Sequence, residues 1–263
     1  ECLYRPPVSP TAMAEVRRIT GEAQINCVGY CIAGTTLSLT LAHLERAGDK
    51  TVKSATLFTT LTDFSDPGEV GVFLGDDFVD GIERQSNTDG LLSKYFMSRT
   101  FSYLRSNDLI YQPAIKSYML GEAPPAFDLL YWNGDGTNLP ARMAVEYLRG
   151  LCQEDGLAKG TFEVLGQKVS LRDVKVPLCA IACETDHIAP WVSSFAGIRS
   201  MGSKDKTFIL AQSVYFLVKA AARARELGIS GATIRKTVLS SALFSVAPAV
   251  SILVGVITLS QFI

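Results

Sequence analysis

Cys31 has the sequence neighbours of a nucleophile that lies on a sharp turn. An apolar run, 25–28, precedes it, and a run with the pattern of a helix, 35–47, follows it. Small residues two positions before and after it, Gly29 and Ala33, allow a strand and a helix to approach closely at a strained turn. The dipole of such a helix favours the thiolate. This pattern predicts a nucleophile; the alternative is a structural cysteine, since cysteine is often buried.

Asp186 is the candidate acid. It lies just after an apolar run, 176–183, that is typical of a strand in a parallel sheet. A nucleophile on a strand–turn–helix, followed later in the chain by an acid after a strand, is the order found in α/β-hydrolases. The alternative for Asp186 is a turn residue that caps a helix beginning near Pro190.

The base that would complete such a site is missing from its usual place. A histidine is expected shortly after the next strand, 207–211, and none is there. The chain has 2 histidines. His43 lies twelve residues along the helix from Cys31, roughly 18 Å away and out of hydrogen-bond reach. His187 adjoins Asp186 and is expected to be a loop residue, with a substitute role as the lesser alternative.

Composition narrows the classes of function. The 263 residues have a net charge of -1, so no basic excess indicates nucleic acid as a partner. The 6 cysteines show no paired spacing of the kind that zinc sites use. We therefore expect neither a metal site nor a bound cofactor.

The order of elements predicts an α/β fold: a truncated α/β-hydrolase core with a helical cap insertion and a hydrophobic helical segment at the C-terminus. Four runs read as strands of the core: 24–30, 52–60, 176–183 and 207–211.

Between the second and third of them, at about 62–150, the pattern becomes helical and aromatic, which is typical of a cap. Helices are expected at 75–87, 91–105, 109–120 and 140–152. Only about two dozen residues precede the strand that leads to Cys31, so we expect a sheet with few strands on that side.

Several longer motifs resemble one family. From about residue 14 to Ser213 the chain resembles class I polyhydroxyalkanoate (poly-3-hydroxybutyrate) synthases. The matching segments are ITGEAQINCVGYCIAGT (19–35), LTDFSDPGEVGVF (61–73), LRSNDLIY (104–111), PPAFDLLYWNGDGTNLP (124–140) and VPLCAIACETDHIAPW (176–191). The resemblance implies that residues 1–213 form the catalytic domain, with its cap inserted.

The resemblance also implies a chemistry. These acyltransferases polymerise (R)-3-hydroxyacyl groups from coenzyme A thioesters into a polyester. Cys31 would hold the acyl group as a thioester, the backbone N–H of Ile32 would stabilise the oxyanion, and Asp186 would assist a histidine base. The family further implies a homodimer in the cytoplasm, associated with polyester granules, and partners limited to the acyl-coenzyme A substrate and the polyester chain.

The resemblance stops at Ser213, and Tyr215 stands where the family has its histidine. Residues 214–263 resemble a segment of an unrelated polytopic membrane protein. The run 237–263 has no charged residue and is long enough to cross a bilayer as a helix, with a basic flank before it. A membrane location and a chimeric chain joined near Ser213 are therefore expected; the alternative is a buried core helix.

Three hypotheses follow. The first is a chain of polyhydroxyalkanoate synthase lineage that is inactive because the catalytic histidine is absent. The second is a cysteine-dependent α/β-hydrolase or thioesterase with a substitute base. The third is a non-catalytic, membrane-anchored chimera in which the cysteine site is vestigial.

Overall fold

The computed structural model describes residues 8–104, 106–123 and 136–212. Within these ranges the chain divides into two compact units. One unit comprises residues 69–149, and the other comprises residues 8–68 together with 150–212. The sequence predicts that residues at about 62–150 form a cap over the site, and this role remains a prediction.

Strands and helices alternate in the second unit, and the first unit is mostly helical. The strands of the described ranges are β1 (Ile25–Tyr30), β2 (Val52–Phe58), β3 (Leu91–Leu92), β4 (Leu139–Pro140), β5 (Glu163–Val164), β6 (Gln167–Lys168), β7 (Leu178–Cys183) and β8 (Lys206–Ala211). The α-helices are α1 (Val8–Thr20), α2 (Ile32–Arg46), α3 (Asp76–Asp89), α4 (Lys94–Leu104), α5 (Gln112–Ala114), α6 (Ala141–Glu146), α7 (Gly156–Lys159) and α8 (Trp191–Ser200). Shorter 3-10 turns lie at Gly68–Phe73 and Leu171–Asp173, and π-helical turns at Asn107–Tyr111, Ile115–Met119 and Tyr147–Gln153.

The core of the second unit is a four-stranded parallel sheet in the order β1-β2-β7-β8. All three neighbouring pairs are parallel, and β7 and β8 pair over their full length. Parallel strands need crossover connections, and α2 and α8 supply two of them. The predicted α/β class is thereby confirmed, as are the positions of its four strands.

Apolar side chains hold the helices against this sheet. α2 buries Leu39, Leu41 and Leu44, and it lies directly after β1. The ring of Phe195, on α8, packs edge-on against Phe208 of β8, with ring centroids 5.1 Å apart. Because β1 and β7 run parallel in one sheet, the turn after β1 and the loop after β7 lie at the same edge of the sheet.

The first unit has its own small core. Ile82, Leu92 and Ala144 are buried together, with partly buried side chains around them. Arg149 donates hydrogen bonds to Asp80 at 2.5 Å and to Glu83 at 2.6 Å, which joins the end of this segment to α3. This unit is stabilised by helix packing, as its helical pattern predicts.

Two predicted helices begin differently in the structure. The runs 91–105 and 140–152 start with short strands, because Leu91–Leu92 pairs antiparallel with Leu139–Pro140. Gly90, with a φ of 73°, ends α3 in a left-handed conformation and directs the chain into this pairing. The helices themselves follow at Lys94 and Ala141.

None of the helices in the described ranges is long and apolar enough to span a bilayer. The predicted segments 214–263 and 237–263, and Tyr215, lie outside the described residues. The membrane expectation therefore stays a prediction.

Candidate active site

Cys31 lies at the sharp turn that its neighbours predict. β1 ends at Tyr30, α2 begins at Ile32, and Cys31 between them has φ 53° and ψ −124°. A positive φ is uncommon for a residue with a side chain, and such strain clusters at functional sites. Two hydrogen bonds fix the turn: the Cys31 N–H donates to the carbonyl of Phe58 at 2.9 Å, and the Gly34 N–H donates to the Cys31 carbonyl at 2.9 Å.

Glycines make this turn possible, although not quite at the predicted spacing. A Cβ on Gly29 would lie 2.5 Å from the Cα of Gly34, and a Cβ on Gly34 would lie 2.7 Å from Cγ2 of Thr60. Both distances are too short for carbon atoms in contact. The prediction emphasised Ala33, two positions after the cysteine; the close approach is instead made by Gly34, because that residue faces β1 and the loop after β2.

Burial raises the pKa of the Cys31 thiol. A hydrogen bond from the backbone N–H of Ile32 lowers the pKa, and the negative charge of Asp186 raises it further. The Ile32 N–H is therefore directed at the sulfur, at the first turn of α2. The helix terminus favours the thiolate, but burial and the carboxylate outweigh it.

Asp186 lies in the loop directly after β7. Its Oδ1 accepts hydrogen bonds from the N–H groups of Ile188 and Ala189, each at 2.9 Å, and its own N–H donates to the Cys183 carbonyl at 3.2 Å. Asp186 thus has the turn-forming role that was the alternative to an acid. The role of Asp186 as the acid stays a prediction; its Oδ1 serves the loop, and its charge raises the pKa of Cys31.

Two further residues belong to this site and were missed by the sequence analysis. Tyr30 ends β1 and is 43% exposed; partial burial raises the pKa of its phenol, and the charges of Cys31 and Asp186 raise it further. Thr59 directly follows β2 and has a φ of 41°, which is an outlier for a β-branched residue. The available signal was position alone, since each residue stands at the carboxyl end of a parallel strand.

The histidines lie as predicted along the chain. His43 is near the end of α2, three turns from Cys31, and His187 is in the Asp186 loop. Nε2 of His187 is buried without a hydrogen-bond partner among the described residues. In the same ranges no group of three potential ligand side chains could hold a metal ion.

Comparison with known proteins shows which sequences the chain is similar to. The chain is 42% identical to the poly(3-hydroxyalkanoate) polymerase subunit PhaC of Rhizobium meliloti (strain 1021) over 202 residues, 77% of this chain and 33% of that protein. It is 39% identical to the poly(3-hydroxyalkanoate) polymerase of Methylorubrum extorquens over 203 residues, with the same coverages. About three quarters of this chain is therefore similar in sequence to poly(3-hydroxyalkanoate) polymerases. It spans about a third of the length of these relatives.

The C-terminal part of the chain matches a different protein family. Residues 206–263 match a family model described as a domain of unknown function (DUF5058). The match begins at the first residue of β8, a strand that pairs with β7 throughout. Among solved structures, the chain is similar to an esterase (EaEST) from Exiguobacterium antarcticum, with a TM-score of 0.44 and 14% identity over 88% of this chain and 74% of that one.

Proposed function

We propose that this chain carries the acyl-accepting part of a polyester-forming site, in which Cys31 takes a 3-hydroxyacyl group from a coenzyme A thioester. The observation that carries the proposal is the strained turn that places Cys31 between β1 and α2. The kinship with poly(3-hydroxyalkanoate) polymerases supports the choice of substrate. Bound coenzyme A would be a substrate and not a resident cofactor.

The proposed step exchanges one thioester for another. The Cys31 sulfur bonds to the carbonyl carbon, the bond from that carbon to the coenzyme A sulfur breaks, and the thiol proton ends on the departing sulfur. The N–H of Ile32 is directed at the Cys31 sulfur, and from that position it would donate to the carbonyl oxygen as negative charge develops. The hydroxyl of a growing chain would then take the acyl group from Cys31.

A general base is needed to start this step. Because the pKa of Cys31 is raised, the free thiol predominates at neutral pH, and a thiol is a poor nucleophile. The 2 histidines of the chain, His43 and His187, do not stand where the family has its base. We therefore propose that the 263-residue chain as it stands is inactive, with the nucleophile and the acid present but not activated.

The proposal is tested by mixing the purified chain with 3-hydroxybutyryl-coenzyme A at neutral pH and measuring free coenzyme A. We expect no release above that of the Cys31→Ala variant. Release that needs Cys31 overturns the proposed inactivity and favours a hydrolase or transferase with a substitute base. The variant His187→Ala then tests that base, since Nε2 of His187 is buried without a partner among the described residues.

The same lineage would place the protein in the cytoplasm at polyester granules and as a homodimer. Membrane contact through residues 237–263 is the alternative location, and a non-catalytic chimera is the alternative function. Long sequencing reads across the codons for 212–215 test the chimera. An uninterrupted frame in independent isolates would count against a join introduced by assembly.

A further inference from the structure

β8 forms one edge of the four-stranded sheet, and no strand of the described residues pairs with its outer side. An open edge presents unpaired N–H and C=O groups to any strand that comes near it. Proteins commonly protect such an edge with a proline, a bulge or a charged side chain. From Thr207 to Gln212 the chain has no proline and no charge, and β8 pairs with β7 without a break in register. The outer side of β8 is therefore open to pairing.

Lys206, at the start of β8, does not protect this edge. Its Nζ donates hydrogen bonds to the carbonyls of Arg199 at 2.9 Å and Met201 at 2.8 Å, at the end of α8. The last carbonyls of a helix attract a positive charge, so the ammonium is well placed there. Because both hydrogen bonds hold it against α8, its charge is directed at the helix and not at an incoming strand.

The helix that lies beside this edge exposes apolar side chains next to it. Phe195 of α8 packs edge-on against Phe208 with ring centroids 5.1 Å apart, and it is still 42% exposed. The helix runs back along the strand, since its end contacts Lys206 and its middle contacts Phe208. Leu210, which is 40% exposed, therefore lies toward the start of α8, where Val192 is 56% exposed. Val192, Phe195 and Leu210 thus form an exposed apolar strip beside the open edge of β8.

The opposite edge of the sheet lacks this combination. β1 forms that edge, and its Gly29 faces α2, where a Cβ would meet Gly34. Its exposed neighbours Val28 and Tyr30 therefore face away from this helix. α2 itself exposes no large apolar side chain. Of the two edges of this sheet, as far as the structure describes it, β8 is the one where the strand and the helix beside it expose apolar side chains on the same face.

We propose that β8 pairs with β8 of a second copy of this chain, antiparallel about a two-fold axis, so that the two four-stranded sheets become continuous. Identical surfaces meet in a two-fold interface, so a charge near the axis would face its own copy. The segment 207–212 has no charged residue, which makes it suited to pairing with itself. An axis perpendicular to the sheet keeps both copies of α8 on one face, where their exposed apolar side chains can contact each other.

The side chains favour one register of this pairing. With Ile209 on the axis, Phe208 lies opposite Leu210 of the partner subunit, on the face that α8 covers. Two apolar side chains then meet across the seam in each half of the interface. With Phe208 on the axis, Lys206 would instead lie opposite Leu210 of the partner subunit, which would set a charged group against an apolar one. We therefore place the axis at Ile209.

This inference rests on the proposed homodimer and names its interface, but its test does not need acyl transfer. The dissociation constant of the whole chain is measured by sedimentation equilibrium, for the parent and for Leu210→Lys. A lysine at this half-exposed position can keep its ammonium in water in the single chain, but pairing would bury it opposite a phenylalanine. We expect a dimer for the parent and a dissociation constant at least about tenfold higher for the variant. Leu165→Lys is the matched control, since Leu165 is 44% exposed in the same unit, and it should leave the constant unchanged.

A cross-link tests the register, and it does not depend on the folding of Leu210→Lys. In Ile209→Cys the two new thiols would face each other across the axis, within the Cα separation of about 4.4–6.8 Å that a disulfide needs. Thr207→Cys is the matched control on the same face of β8, because its two copies would lie about 13 Å apart along the strands. Oxidation with oxidised glutathione, followed by peptide mapping, should join the two copies at position 209 and not at position 207.

Three results would overturn the inference. A parent chain that stays monomeric at every concentration measured would indicate another occupant of the edge, such as residues 213–263 of the same chain. A dimer that is as stable in Leu210→Lys as in the parent would show that the contact lies elsewhere. Equal cross-linking of the two cysteine variants would exclude pairing about Ile209. None of these results bears on the release of coenzyme A, so a failure here is distinguishable from a failure of the proposed acyl transfer.

Discussion

At the residue scale, the charge of Asp186 acts on Cys31, and the effect opposes nucleophilic attack. The carboxylate raises the pKa of the thiol, after burial has already raised it. In a complete triad a cationic histidine between them would reverse this effect, because it would be attracted to both groups. Cys31 and Asp186 alone therefore do not activate the thiol, and the site needs a general base.

Neutralising Asp186 should make Cys31 more reactive toward alkylation. Asp186→Asn keeps an Oδ1 that can accept from the N–H groups of Ile188 and Ala189, so the loop should persist. It removes the charge that raises the pKa of Cys31, so alkylation at neutral pH should be several times faster. Asp205→Asn, at an exposed position before β8, is the control. A slower or unchanged rate would contradict the proposed repulsion.

The turn between β1 and α2 is the element that makes the site. Its existence was predictable, because an apolar strand, small residues and a helical run have a local signature. The strands 24–30, 52–60, 176–183 and 207–211 were predictable for the same reason. The role of Gly34 was not, because it depends on contact with Thr60, which lies 26 residues further along the chain.

Long-range pairing explains the other misses. The pairing of Leu91–Leu92 with Leu139–Pro140 joins positions nearly fifty residues apart, and no local pattern marks it. Tyr30 and Thr59 also become neighbours only when β1 and β2 pair. The sequence thus indicates the nucleophile and the acid but not the groups that surround them.

A methyl group at the turn should destabilise it. In Gly34→Ala the new Cβ would meet Thr60 at distances that force the loop to move, and the expected cost is about 1–3 kcal/mol. Gly81→Ala is the control, because a Cβ there meets nothing within 4 Å and alanine favours a helix. Denaturant unfolding followed by fluorescence measures both. Equal stability of the two variants would show that the turn is not closely packed.

At the scale of the whole molecule, two parts of the chain are similar to two different families. Relatives among the polymerases align over 77% of it, and a family of unknown function matches from residue 206 onward. The described sheet includes β8, which lies inside the second match and pairs fully with β7. The four-stranded sheet therefore includes residues of the second match, up to the end of β8 at Ala211.

A buried carboxyl should make the stability of the second unit depend on pH. Asp155 is 7% exposed and accepts a hydrogen bond from the N–H of Phe64 at 2.8 Å. Burial raises its pKa, and the nearby charge of Asp63 adds to this. The folded state thus prefers the protonated form, and the stability that it contributes is lost as pH rises through the raised pKa.

Asp155→Asn should therefore be more stable than the parent at neutral pH. The amide keeps the acceptor for Phe64 and removes the buried charge. The advantage should shrink as pH falls toward the ordinary range of a carboxyl group, where both states of the parent are protonated. Unfolding curves across pH measure it. An advantage that is the same at every pH would instead reflect the left-handed backbone at this position, which asparagine tolerates well.

The most direct test of the whole proposal is the acylation of Cys31 across pH. The chain is incubated with 3-hydroxybutyryl-coenzyme A, and the covalent adduct is measured by intact mass, with Cys31→Ala as the reference for spontaneous hydrolysis. We expect no adduct at neutral pH and a Cys31-dependent adduct that appears only as pH rises toward the raised pKa of the thiol. Adduct formation at neutral pH would contradict the missing base, and its absence even at alkaline pH would contradict Cys31 as the acyl acceptor.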